Sequence, residues 1–146
     1  MAEIFPNQGL DLIIANAGFN SGGSTPANTW LALFTTFTAS TVGNSASVMA
    51  SYSDPTGGGY IRETIAAASW GAIGSTTSGR ITTAAQISFP QATGSYNAAV
   101  NGFTVTNSLT AGGGSVYFAA NFDDTTAVTI QTNDQIKVTP SSIFAG

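Results

Sequence analysis

Short runs of two-residue alternation recur through the second half of the chain, and turn residues interrupt each run before it grows long. Phe103 and Val105 oppose Thr104 and Thr106. Val116, Phe118, Ala120 and Phe122 fall on one face, Val128 and Ile130 alternate with Thr129 and Gln131, and Ile136 and Val138 flank Lys137. Successive side chains of a strand point to opposite faces, so this period marks strands with one side on a core. Strands are expected at Tyr60–Ala66, Ser69–Ile73, Arg80–Phe89, Val100–Asn107, Ser115–Phe122, Ala127–Gln131, Gln135–Thr139 and Ser142–Phe144. The interruptions are turn chemistry: Gly112-Gly113-Gly114, Asp123-Asp124, Asn133-Asp134, and Pro90 closing the run Ile87-Ser88-Phe89. Many short strands so punctuated predict an all-β chain, a β-sandwich of which the jelly roll is one arrangement, rather than βαβ units. No internal repeat of fixed period is present, which argues against a β-helix or a fibre shaft.

Three segments upstream behave differently. Thr29–Thr36 places Leu31 and Leu33 on one side and Trp30, Ala32 and Phe34 on the other, so both faces are apolar and a central strand is expected. Phe37–Gly59 is rich in Ser, Thr, Ala and Gly and ends in a triple glycine. It reads as a long loop, and loops of this length in compact domains usually carry contacts. Near the start, Leu10, Ile13, Ile14 and Ala17 follow helical spacing, with Asn7 as N-cap and Gly18 as stop. Gly9 weakens that helix by about 1 kcal/mol relative to Ala, so its apolar stripe needs a surface to dock on. The expected organisation is an arm over 1–28 carrying one short helix and a β-sandwich over 29–146.

Composition narrows the function. Of the 146 residues, 7% are charged, against about a quarter in an ordinary soluble domain, while 42% are apolar. The surface is therefore expected to be polar without charge, built of Ser, Thr, Asn and Gly in runs such as 20–25 and 74–79. Nine Phe, four Tyr and two Trp argue against disorder. Net charge is −4 and the cations Arg62, Arg80 and Lys137 are dispersed, so no basic stripe exists for nucleic acid. The first twenty residues read as neither signal peptide nor membrane span.

With no His and no Cys, triad nucleophiles and nearly all catalytic zinc sites are excluded. The seven acids show no pairing whose spacing calls for glycosidase chemistry. Asp123 and Asp124, being adjacent, would point to opposite faces of a strand. They fit a turn better than a calcium site with Asn121. No enzyme activity, cofactor or metal is expected.

The sharpest local feature is Gly57-Gly58-Gly59-Tyr60-Ile61-Arg62-Glu63. A phosphate loop would need a Lys and a following helix, and a strand-like run follows instead. The glycines suit positive φ or close backbone approach. Arg62, one of three cations, is a bidentate donor suited to a carboxylate. An ion pair within the domain or between subunits stands against plain solvent exposure.

Taken as a series, the N-terminal helix, WLALFTT, a variable loop, GGGYIRETI, ISFPQATGSY, GGGSVYFAANF and NDQIKVTPSSIFA resemble a family of small structural proteins of tailed bacteriophages, assigned as head decoration (cement) or tail-fibre-like components. The resemblance spans about Leu10 to Ala145. Ser53-Asp54-Pro55-Thr56 departs from it, which puts contacts of that loop in question. It implies a virion protein, assembled in the host cytoplasm, with a β-sandwich core and no enzymatic activity. A capsid decoration protein bound to the major capsid protein and to copies of itself, by class a homotrimer, is the leading expectation. A tail or head/tail-fibre component is the alternative. A carbohydrate-binding module using Trp30, Trp70, Tyr60, Tyr96 and Tyr117 is another, set against the reading that these aromatics are core. The expected protein interface comprises Leu10, Ile13, Ile14, Ala17, Gly57, Gly58, Gly59, Tyr60 and Arg62. Neither nucleic acid nor membrane is an expected partner.

Overall fold

A computed structural model of the chain describes residues 29–37, 52–71, 74–76, 79–122 and 126–144. The arm over 1–28 with its helix, most of the 37–59 loop and the Asp123-Asp124 pair lie outside the described residues. In chain order the strands are β1 (Thr29–Phe34), β2 (Thr36–Phe37), β3 (Tyr52–Ser53), β4 (Glu63–Ile65), β5 (Gly74–Thr76), β6 (Gly79–Thr83), β7 (Ile87–Ser88), β8 (Gly102–Thr106), β9 (Val116–Asn121), β10 (Lys137–Val138) and β11 (Ser141–Phe144). All strand pairings are antiparallel, as expected for an all-β sandwich.

The main sheet has the order β4-β1-β8-β9. Its central strands are buried on both faces because both faces are covered. Leu31, Leu33, Phe103, Val105, Phe118 and Ala120 pack with Phe89, Tyr96, Val100, Ile130 and Val138 on one side. Ala32, Phe34, Val116 and Ala119 pack with Tyr52 on the other. The two-faced pattern of β1 thus places it between β4 and β8, as its sequence requires. Each fully buried Leu, such as Leu31 or Leu33, contributes about 1.5–3 kcal/mol through removal of apolar surface from water.

Two features of this sheet depart from the sequence pattern. A register shift between Val105 and Thr106 marks a β-bulge opposite Val116–Phe118. An extra residue in one strand reverses the alternation beyond it. Tyr117 and Phe118 consequently share a core, and Val116 lies in the opposite one, so the expected common face of Val116 with Phe118 and Ala120 is corrected. Moreover, Thr104 and Thr106 are fully buried rather than solvated. Thr106 Oγ1 donates to the Ser115 carbonyl at 2.8 Å, which satisfies its hydroxyl without water.

Several strands, in the main sheet and outside it, are shorter than expected. Tyr60–Ala66 contributes only β4, and the described part of the expected strand Ser69–Ile73 holds the end of a 3-10 turn, Ala67–Ser69, and a bridge between Trp70 and Ala84. Within the run 74–79, expected to supply uncharged polar surface, Gly74–Thr76 forms β5 and Gly79 begins β6 in the sheet β11-β6-β5. Arg80–Phe89 is divided into β6 and β7, and Ala127–Gln131 makes a single bridge from Val128 to Val100. The expected loop 37–59 holds β3, which pairs with β2. These segments carry the Ser, Thr and Gly content that gives turn and strand conformations similar local preference, so tertiary pairing decides between them.

Candidate interaction site

The segment Asp54–Arg62 leaves β3 and enters β4 at one edge of the main sheet, and it is bonded to another non-strand segment, 92–97. Asn97 N donates to the Thr56 carbonyl (3.0 Å), Thr56 N to Asn97 Oδ1 (2.8 Å) and Thr93 N to the Gly58 carbonyl (3.0 Å). The 92–97 segment is fixed in turn by Ala92 N to Asp134 O, Asn133 N to Ala92 O and Tyr96 N to Ile130 O. Three irregular stretches are thus laced side by side, so backbone groups not in sheets are still paired.

The triple glycine makes that crossing feasible. Gly57, Gly58 and Gly59 all have positive φ (81°, 56° and 74°), and Tyr60 N closes the turn on the Gly57 carbonyl at 3.1 Å. At Gly58 a Cβ would run into the Gly94 carbonyl and lie 2.7 Å from the Tyr96 ring. Both conformation and space therefore exclude a side chain there.

Tyr60, next in the chain, packs its ring against Phe89 (centroids 6.0 Å, stacked) and Tyr96 (5.7 Å, edge-on). Its hydroxyl accepts from Leu33 N at 2.9 Å and donates to Asp54 Oδ2 at 3.2 Å. The β1/β4 register pairs Thr29 with Ile65 and Leu31 with Glu63, so its continuation would bring residue 61 opposite Leu33. The ladder ends before that point, and the phenol satisfies the donor that the missing strand residue would have met.

Arg62 completes the arrangement. Its Nε and Nη2 donate to Asp54 Oδ2 and Oδ1, both at 2.9 Å, and its Nη1 donates to the carbonyls of Ser108 (2.7 Å) and Gly113 (3.3 Å) in the β8–β9 connection. The two side chains are 1% and 5% exposed. A planar fork engages a carboxylate and two carbonyls at once, which a Lys ammonium cannot reproduce. Of the two forms of ion pair expected for Arg62, the structure contains the one within the domain. Its charge faces inward rather than toward a partner.

The expected interface residues are thereby distributed unequally. Leu10, Ile13, Ile14 and Ala17 lie outside the described residues. Gly57 and Gly59 are exposed, Gly58 and Tyr60 half-buried and Arg62 buried. The exposed apolar side chains of this corner are Ile61 and Leu109, each 57% exposed, adjacent in sequence to the two ends of the Arg62–Ser108 bond. Asp54 and the carbonyls of Ser108 and Gly113 were not anticipated. Nothing in their spacing signals them, since carbonyl acceptors leave no mark on sequence. Of the aromatics weighed as sugar platforms, Tyr96 and Tyr117 are buried, Trp70 packs edge-on to Phe118 with its Nε1 donating to Thr29 Oγ1, and Trp30 is half-buried. Asp134 accepts from Gln131 N at 2.8 Å, stabilising its own turn. Among the described residues no three acids gather where a metal ion could be held.

Two expectations follow from this geometry. Asp54→Leu or Arg62→Met alone should each cost about 3–5 kcal/mol in urea unfolding, because each strands a buried charge, whereas the double replacement should cost much less than the sum. Additive losses would show that the groups do not act as a pair. Stability should also fall at alkaline pH. Burial pushes Tyr52 from 10.0 up to about 12, and burial, with the Asp54 carboxylate adding to it, pushes Tyr60 higher still. Both phenols are neutral in the fold, so their contribution is complete below pH 10 and is lost as pH rises through the raised values. Urea midpoints measured from pH 8 upward should hold to about pH 10 and then decline, and Tyr60→Phe should shallow the decline.

No curated protein and no solved structure matches the chain. The sequence profile of a family described as "Podophage GP4 fiber I protein gp80" matches residues 6–145, which takes in every described strand and the whole Asp54–Tyr60–Arg62 arrangement. The chain belongs to this family of phage fibre proteins and is a structural component of the virion.

Proposed function

We propose that the chain is a non-enzymatic subunit of a phage fibre, joining copies of itself and neighbouring virion proteins through an uncharged surface. The observation that carries this reading is the placement of the scarce charge. Arg62, one of three cations, and Asp54, one of seven acids, neutralise each other inside the domain. Among the described residues, what remains outside is mainly Ser, Thr, Asn, Gln and Gly, with Asp134 and Lys137 as exposed charges and Ile61, Leu109 and Val128 as exposed apolar points. Contacts made by such a surface rest on area and on hydrogen bonds, so they persist where salt screens ion pairs. Conditions outside a cell vary in ionic strength, and a virion component must hold through them.

The fibre reading replaces head decoration as the first choice because the family description names a fibre. The same uncharged surface would suit a cement protein bound to the major capsid protein, and location separates the two. Gold-labelled antibodies against the purified chain, applied to intact particles, should mark fibres in electron micrographs. Labelling spread over the head shell, with fibres bare, would favour the cement reading. Attachment to the particle should also survive a rise to about 1 M salt, where the Debye length shrinks to about 3 Å.

A further inference from the structure

Asn101-Gly102 is a chemically labile pair placed where the fold cannot dispense with either residue. Asn-Gly ordinarily signals a tight hairpin turn. Here it leads directly into β8, with Gly102 paired to Phe34 on one side and Asn121 on the other. A Cβ on Gly102 would collide with the Ala120 carbonyl and lie 2.8 Å from the Phe34 ring and from Asn121 Cα. Glycine is therefore required by close packing of three strands. It is also the residue that least obstructs attack of a backbone nitrogen on the preceding Asn side chain.

Asn101 itself is exposed to water but tied at three points. Its N–H donates to the Phe34 carbonyl (2.9 Å), its carbonyl accepts from Phe122 N (3.0 Å), and its Nδ2 donates to the Thr35 carbonyl. Closure of an imide would require the side chain to swing from Thr35 toward Gly102 N and the backbone to rotate out of both bonds. We propose that Asn101 is the deamidation site of this chain, protected while folded and modified once the β1–β8–β9 ladder opens. Gly102 N, losing its proton to solvent base, attacks Asn101 Cγ. The new C–N bond closes a five-membered imide, the Cγ–Nδ2 bond breaks and ammonia leaves. Water then opens the imide at either carbonyl, giving Asp or isoaspartate with no change of oxidation state.

Either product opposes refolding. Asp replaces the donor facing the Thr35 carbonyl with a carboxylate, two acceptors in contact. Isoaspartate inserts a methylene into the backbone between the groups held by Phe34 and Phe122. Opening of this corner is thereby converted into an irreversible change, so the lifetime of the protein is set by how often the ladder opens.

The test is to hold the full chain at mildly alkaline pH, in native buffer and in concentrated urea, and to map modification by peptide mass spectrometry with isoaspartyl methyltransferase labelling. In urea, conversion should concentrate at Asn101, ahead of Asn97, Asn107, Asn121 and Asn133. In native buffer it should be slower by about tenfold or more, three hydrogen bonds having to open first. Chains modified in urea should not recover the native melting temperature when urea is removed, and Asn101→Asp should melt lower than wild type or fail to fold. Equal rates in the two buffers, conversion spread evenly over the asparagines, or an Asn101→Asp protein with wild-type melting would overturn the proposal.

Discussion

The Arg62 guanidinium sits in the interior of a domain that has only ten ionisable acid and base residues of full charge, three basic and seven acidic. Desolvating such a group is costly unless its donors are satisfied. The fold meets this with one carboxylate and two carbonyls, and through Asp54 it reaches Tyr60 and then Leu33 N in β1. One connected set of hydrogen bonds thus joins β1, the segment after β3, the start of β4 and the β8–β9 connection. Removing any member leaves another buried group unsatisfied, which gives the set an importance beyond its small number of bonds.

That constraint organises the corner where the candidate contact surface lies. Positive-φ glycines let 54–59 cross 92–97 at close range, and the crossing carries Asp54 and Tyr60 to the places where Arg62 and Leu33 need them. The result fixes Ile61 and Leu109 on segments whose backbones are already anchored, so presenting them to a neighbour entails little loss of conformational freedom. Asp54 and Arg62 are held inside, and apart from Asp134 and Lys137 the exposed side chains among the described residues are uncharged, an arrangement that fits the proposed association in a fibre.

The main sheet was legible from sequence because its strands obey a simple rule. Thr29–Phe34 is apolar on both faces and is central, and Gly102–Thr106 and Val116–Asn121 alternate. Two exceptions have physical causes that periodicity cannot register. The bulge near Val116 inserts one residue and reverses the parity, and Thr104 and Thr106 are covered by a second apolar layer that includes Tyr52 from the expected loop. The smaller sheets were legible only in part, since Gly74–Thr76 has the composition of a loop and becomes strand through pairing with residues 79–81. At the site, Gly57–Gly59, Tyr60 and Arg62 stood out because glycine runs and lone cations are unusual in this composition. Their partner Asp54 did not, because an Asp before a Pro reads as a turn and the pairing depends on a crossing with 92–97 that only the folded chain displays.

The unity of the Tyr60–Asp54–Arg62 set is the central claim, and the amide of Leu33 reports on it most directly. This N–H lies in β1 but is bonded to a side-chain hydroxyl. Native-state hydrogen exchange should show it protected in the wild type. In Arg62→Met, which touches the far end of the set, Leu33 should lose protection more than its β1 neighbours Ala32 and Phe34, whose partners lie in β8. Exchange at Leu33 that merely follows the global loss of stability, in step with Ala32 and Phe34, would contradict the account and reduce Arg62 to a local ion pair.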